Sequence, residues 1–252
     1  MVEIKRVKTN IPGFDRLVQG GFPENSVVLI CGTPGTAKTI FGLQYIYNGA
    51  AIFKEKGLYI SFEQSEDSLK SQASMFGWDF DKLVKKNLVK IKYIPVTELS
   101  PKTIDYIEKE VKTKKYKRLV IDSVSTLAIN APIYTSIEDI SLVDIVRKKS
   151  FFSPPIVGDF ITRRFIYHFI DRLHKLNCTT LLISEASEKG EYLSRDTISE
   201  FVCDGVILMT FESMGGKYSR SLMVRKMRNT KNDEDIHPVE ITSKGLKIHR
   251  LE

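Results

Sequence analysis

Residues 32–39 read GTPGTAKT, which sets glycines, threonines and a lysine between a short apolar run and a helix-like stretch. Small residues let a backbone curl until consecutive N–H groups point inward, and such a concavity takes phosphate oxygens. The helix that follows adds the positive end of its dipole. In this arrangement Lys38 reaches the β- and γ-phosphates of a nucleoside triphosphate, and the Thr39 hydroxyl reaches Mg2+. The expected binding set is Gly32, Thr33, Pro34, Gly35, Thr36, Ala37, Lys38, Thr39 and Ile40, with ATP and Mg2+ as cofactors. The pattern G-x-x-x-x-G-K-[ST] asks for glycine where this chain has Ala37. Alanine fits if it opens the helix at negative φ, and that is the expectation. A Gly-rich strand–helix turn with an incidental lysine is the alternative reading of the motif.

Two carboxylates follow apolar runs downstream. Asp122 closes RLVID, and an aspartate there is costly unless it meets a cation or hydrogen-bond donors. If its strand neighbours the one that feeds the phosphate loop, Asp122 lies beside that loop, and there it is expected to hold Mg2+ through water. Glu63 ends LYISFE and is expected to orient or deprotonate the attacking water. A solvated acid at the start of the EQSED helix is the other reading. Gln64, and Glu185 after TTLLIS, stand next in line for that task.

Such residues need strand ends and a helix N-terminus to hold them. Apolar, β-branched runs at 26–31, 58–62, 88–94, 118–122, 179–184 and 205–210 read as strands. Helical patterns separate several of them: 38–54, a stretch capped by Ser65 and ended by Gly77, and one opening at Ser100-Pro101. The alternation predicts an α/β fold with a mostly parallel twisted sheet flanked by helices. After Gly205 the helices stop, and 219–227, 238–242 and 246–249 read as a C-terminal antiparallel β-meander. Residues 1–252 read as a single domain. The excursion over 130–159 carries Pro132, Pro154, Pro155, a helix-like 137–149 and the stretch RKKSFFSPP. It reads as a lid or partner-binding insertion, and equally as a solvated loop.

A chain of 252 residues with 42% apolar content can bury one α/β core. No run approaches the roughly 18 apolar residues of a membrane span, and MVEIKRVKTN has no apolar stretch behind its basic residues. A cytoplasmic protein without membrane contact is expected. Cys31, Cys178 and Cys203 lie far apart and form no C-x-x-C pair, so buried free thiols are expected in place of disulfides or zinc. The net charge of +7 permits a polyanion partner, and ATP is itself one.

Taken together, IPGFDRLVQGGFPENSVVLICGTPGTAKT, YISFEQSED and RLVIDSVSTL resemble the KaiC/RadA side of the RecA superfamily, over nearly the whole chain. The resemblance implies a RecA-like P-loop NTPase core. Glu63 matches the first acid of the family's Glu-Glu pair, and Gln64 replaces the second. The late segments ISEFVCDGVILM and VRKMRNT are similar to strands whose Lys-x-Arg pair reaches the ATP of a neighbouring subunit. That implies catalytic roles for Lys226 and Arg228, and a homo-oligomer, ring or filament, with ATP at subunit interfaces. Family clock proteins carry two such domains and a C-terminal Ser/Thr pair for autophosphorylation; neither is seen here, so a clock kinase is not expected.

Single-domain archaeal recombinase paralogues are the better match. That resemblance implies an ATPase acting in or regulating DNA recombination and repair, with DNA and a RadA-type recombinase as partners. Basic clusters at 147–149, 163–164 and 225–231 suit phosphate backbones, and Phe151 and Phe152 suit stacking on single-stranded bases or packing on a neighbour. Two alternatives stay open. One is a regulatory ATPase that signals through protein partners. The other, which Ala37 and Gln64 support, is a nucleotide-dependent binding module with negligible hydrolysis.

Overall fold

The computed structural model describes residues 4–134, 154–186, 193–214 and 217–250. Among these, nine strands form one sheet in the order β11-β10-β9-β8-β3-β7-β6-β4-β5. Its parallel part comprises β3 (Val27–Gly32), β4 (Gly57–Ser61), β5 (Val89–Tyr93), β6 (Arg118–Asp122), β7 (Thr179–Glu185) and β8 (Gly205–Met214). The antiparallel edge is β9 (Lys217–Met227), β10 (Ile236–Thr242) and β11 (Gly245–Ile248). The short strands β1 (Arg6–Val7) and β2 (Phe22–Pro23) pair separately. This is the expected α/β architecture with its C-terminal meander.

Both faces of the parallel strands are covered, which is why they read as near-continuous apolar runs. Along β3, Val28 and Ile30 enter one core while Val27, Leu29 and Cys31 enter the other. The first core is closed by α1 (Lys38–Ala51), α2 (Glu66–Ser74) and α3 (Phe80–Lys85), through Phe41, Leu43, Leu69, Ala73 and Phe80. The second is closed by α4 (Lys102–Lys114), α5 (Val124–Ile129) and α6 (Pro154–His174). Phe165, Ile166, Phe169, Ile170 and Leu173 make the buried stripe of α6 at helical spacing. A short helix, α7 (Ser199–Val202), precedes β8. The cysteines Cys31, Cys178 and Cys203 are all buried, and burial pushes the first two thiols up to about 12.

One buried charge ties three segments together. Arg118, wholly buried at the start of β6, pairs with Glu55 and donates to the Tyr45 and Lys8 carbonyls at 3.0 and 2.8 Å. Its guanidinium lies 4.7 Å from the Tyr45 ring centre. A β-carbon on Gly49 would sit 2.3 Å from Arg118 Nε, so only glycine lets α1 pass this close.

Two expectations are corrected. The strand of Asp122 does not neighbour β3, because β7 lies between β3 and β6. The parallel order is set by which faces the crossover helices must cover, and short runs do not reveal it. The excursion over 130–159 is not all insertion. Ala131 is buried in the second core, Tyr134 stacks on Phe165 at 5.0 Å, and α6 begins at Pro154. Prolines at the first positions of a helix start it rather than break it, since those N–H groups have no intrahelical partner. Residues 135–153, with the helix-like 137–149, Arg147–Lys149, Phe151 and Phe152, lie outside the described residues.

Candidate functional site

The C-terminal ends of β3, β7, β6 and β4 meet the N-terminus of α1 at a cleft of about 330 Å³. Open parallel sheets bind ligands at that end of the strands. The cleft is lined by Pro34, Gly35, Ala37, Lys38, Thr39 and Ile40 from the loop and α1. Glu63, Asp122 and Glu185 line it from the strand ends. Gly32 ends β3 against β8; a β-carbon there would lie 2.3 Å from the Met209 carbonyl oxygen. Thr36 is buried and donates to the Thr33 carbonyl at 2.9 Å, closing the loop on itself.

Lys38 lies across this loop, donating from Nζ to the carbonyls of Gly32 at 2.7 Å and Thr33 at 2.9 Å. Burial lowers the affinity of its ammonium for a proton, with Asp122 foremost among the carboxylates that oppose this. Asp122 is itself buried, and desolvation pushes its carboxyl above the usual range against the pull of two hydroxyls. Those hydroxyls are Tyr59 at 2.6 Å and Thr39 at 2.9 Å, and both donate to Oδ2. Glu63 is held from the other side: Ser123 donates to its Oε1 at 2.6 Å and Thr126 at 3.1 Å.

These side chains fit a triphosphate and a hard cation. The first turn of α1 has N–H groups without intrahelical partners, and Lys38 supplies a mobile positive charge beside them. A threonine hydroxyl and a carboxylate are the oxygen donors Mg2+ takes from proteins, the remainder coming from phosphate and water. Among the described residues no cage of three or more His, Cys, Asp or Glu side chains forms, as a cation completed by substrate oxygens requires none.

Ala37 corrects an expectation. It has φ 78° and ψ 24°, the left-handed region, and caps α1 without a side-chain hydrogen bond. The chain must turn sharply from the loop into the helix, and a glycine at this position would make that turn without strain. A left-handed non-glycine residue costs about 1–2 kcal/mol. The Ala37→Gly variant is therefore expected to be more stable than wild type by about 1 kcal/mol, once the extra chain entropy of glycine is subtracted. For a chain of this length that raises the midpoint by roughly 2–4 °C. Thermal melts check it, and a destabilised variant would count against the strain.

The structure brings Lys38, Thr39, Glu63 and Asp122 together and keeps Lys226 and Arg228 away from them. Met209 on β8 faces Gly32, whereas Lys226 pairs with Val206. Three residues of strand separate the two positions along β8, about 10 Å at the usual rise. Lys226 Nζ caps the end of α7, donating to the carbonyls of Glu200, Phe201 and Cys203. Arg228 pairs with Asp204 at 3.1 Å.

Tyr59, Ser123, Thr126, Gln72 and Arg220 are among the site residues that escaped the sequence reading. Gln72 lines the cleft, and its buried Oε1 has no hydrogen-bond partner among the described residues. Arg220 comes from the meander, donates to the Gly35 carbonyl at 2.8 Å and lies 4.2 Å over the Phe211 ring. Its only legible signal was a basic residue on a strand, and the pairing of β9 with β8 is what carries it to the loop.

The family model of the KaiC ATPase matches residues 7–148 and 156–252. A UPF0273 protein of Thermotoga maritima is 33% identical, covering 99% of this chain and 98% of its own length. The circadian clock oscillator protein KaiC of Nostoc is 27% identical over 98% of this chain, which spans only 45% of that relative. Among solved structures, a KaiC-like protein from Pyrococcus horikoshii superposes with a TM-score of 0.80 at 32% identity, covering 98% of this chain and all of the other.

Proposed function

The chain belongs to the KaiC family of ATPases, and on that premise we propose that it binds Mg-ATP at residues 32–40 and hydrolyses it with Glu63 as general base. One observation carries the reading: the Thr39 hydroxyl meets Asp122 at 2.9 Å on the same cleft that Glu63 lines. Lys38 and the N–H groups of the first helical turn neutralise and orient the phosphates. Thr39 and Asp122 would hold Mg2+, which would spread the charge developing on the phosphate oxygens. Ser123 and Thr126 fix Glu63 by Oε1. Its Oε2 accepts no hydrogen bond from the described residues, and it is the oxygen placed to take a proton from water.

Lys226 and Arg228 act on the ATP of a neighbouring copy, in a homo-oligomer with sites at subunit interfaces. Support comes from the register, which sets both residues too far along the sheet to serve their own loop. Each has ligands in its own chain, Lys226 the α7 carbonyls and Arg228 the carboxylate of Asp204, and these are exchanged on assembly. The expected result is complementation: inactive Arg228→Ala subunits mixed with inactive Glu63→Gln subunits regain part of the hydrolysis. No recovery in a mixture shown to co-assemble would remove the trans role.

DNA, and with it a place beside a RadA-type recombinase, is the finer reading. The net charge of +7 and the exposed Arg225 and Lys231 at the end of β9 favour it. Binding to single-stranded DNA that weakens linearly in the logarithm of salt separates this output from a protein contact. The family supports the ATPase under either.

A further inference from the structure

Tyr59 sits in the middle of β4, wholly buried, and reads in sequence as one more apolar strand residue. Its ring packs on α1 at Gly42, where a β-carbon would come within 3.3 Å of Tyr59 Cε2. Phenylalanine would fill that space equally well. A buried hydroxyl is costly unless it is bonded, and this one donates to Asp122 Oδ2 at 2.6 Å. The geometry fixes the pair closely. β4 and β6 are adjacent, with Tyr59 opposite Val120 and Ser61 opposite Asp122, so neither backbone can drift without breaking the sheet.

Two hydroxyls converge on the same oxygen, since Thr39 also donates to Oδ2, at 2.9 Å. Oδ1 accepts no hydrogen bond from the described residues, while Asp122 lines the cleft. The two donors differ in one respect. Thr39 belongs to the phosphate loop and its oxygen would be needed by the cation, whereas Tyr59 is buried in the sheet and stays beside Asp122.

We propose that Tyr59 is a positioning residue for the cation: it holds Asp122 by Oδ2, leaving Oδ1 open, so that the carboxylate would keep its place on the cleft if Thr39 gave its oxygen to Mg2+. The proposal rests on the Mg-ATP reading given above. Groups that orient a metal ligand through a hydrogen bond contribute on the order of 10- to 100-fold to metal affinity.

The test is the Mg2+ requirement for binding a fluorescent non-hydrolysable ATP analogue, in wild type, Tyr59→Phe and Tyr45→Phe. Tyr45 is the control, an equally buried tyrosine whose hydroxyl donates to the Thr179 carbonyl away from the cleft. Tyr59→Phe is expected to raise the Mg2+ concentration at half-saturation on the order of 10-fold, with analogue affinity in EDTA unchanged. Tyr45→Phe is expected to leave the requirement at the wild-type value. A requirement in Tyr59→Phe equal to wild type, or moved no further than Tyr45→Phe moves it, overturns the role of Tyr59 alone. Wild type that binds no analogue, or binds it without regard to Mg2+, overturns the Mg-ATP reading and this inference together.

Discussion

Replacing Glu63 by glutamine is expected to slow ATP hydrolysis by about 10²–10⁴-fold, the range a general base supplies, while nucleotide affinity stays near wild type. The amide keeps the size of the side chain, and its oxygen can still accept from Ser123 and Thr126, which hold Oε1 in the native protein at 2.6 and 3.1 Å. What it cannot do is take a proton where Oε2 stood. Phosphate release under saturating ATP measures the loss, and titration calorimetry shows that binding survives. Persistent turnover would move the base to Glu185. That carboxylate lines the same cleft from the end of β7, paired with Arg195 at 2.6 Å. Gln64 also lines the cleft, but its neutral amide is a poor proton acceptor and its Oε1 accepts from Ser68 of α2 at 3.4 Å.

Lys38→Ala is expected to weaken Mg-ATP binding by at least on the order of 10²-fold. Each charge-assisted hydrogen bond from this ammonium to phosphate is worth about 1.5–3 kcal/mol, and about 1.4 kcal/mol is tenfold in affinity. The loop offers no replacement: Arg220 reaches the Gly35 carbonyl at 2.8 Å from outside the loop, stacked on Phe211. Calorimetry with a non-hydrolysable analogue is the check, and an affinity equal to wild type would remove the phosphate-site assignment. The fold should survive the change, because the hydrogen bonds of Lys38 stay within its own loop.

What the sequence made legible was chemistry at the ends of apolar runs. LYISFE and RLVID each pass from a buried strand to a carboxylate, VVLICG passes into the phosphate-loop pattern, and the sheet delivers those ends to one cleft. The strand order was not legible. β7 separates β3 from β6, yet Asp122 still meets Thr39, because α1 leans across the strand between them. Ala37 misled because composition does not report φ; its glycine-like conformation shows only when the turn is built. Tyr59 was hidden for the opposite reason. Its strand position accounts for its apolar ring, and nothing in the alternation reveals where a phenol oxygen will land. Lys226 and Arg228 were singled out through family resemblance, since each otherwise looks like a charge on an edge strand.

The central claim is Mg2+-dependent hydrolysis of ATP by this chain, and phosphate release tests it most directly. Wild type and Glu63→Gln are assayed side by side, each with Mg2+ and with EDTA. The account predicts release by wild type in Mg2+ only, with the Glu63→Gln rate lower by about 10²-fold or more. Wild type that releases phosphate no faster than Glu63→Gln, or equally fast in EDTA, would contradict it.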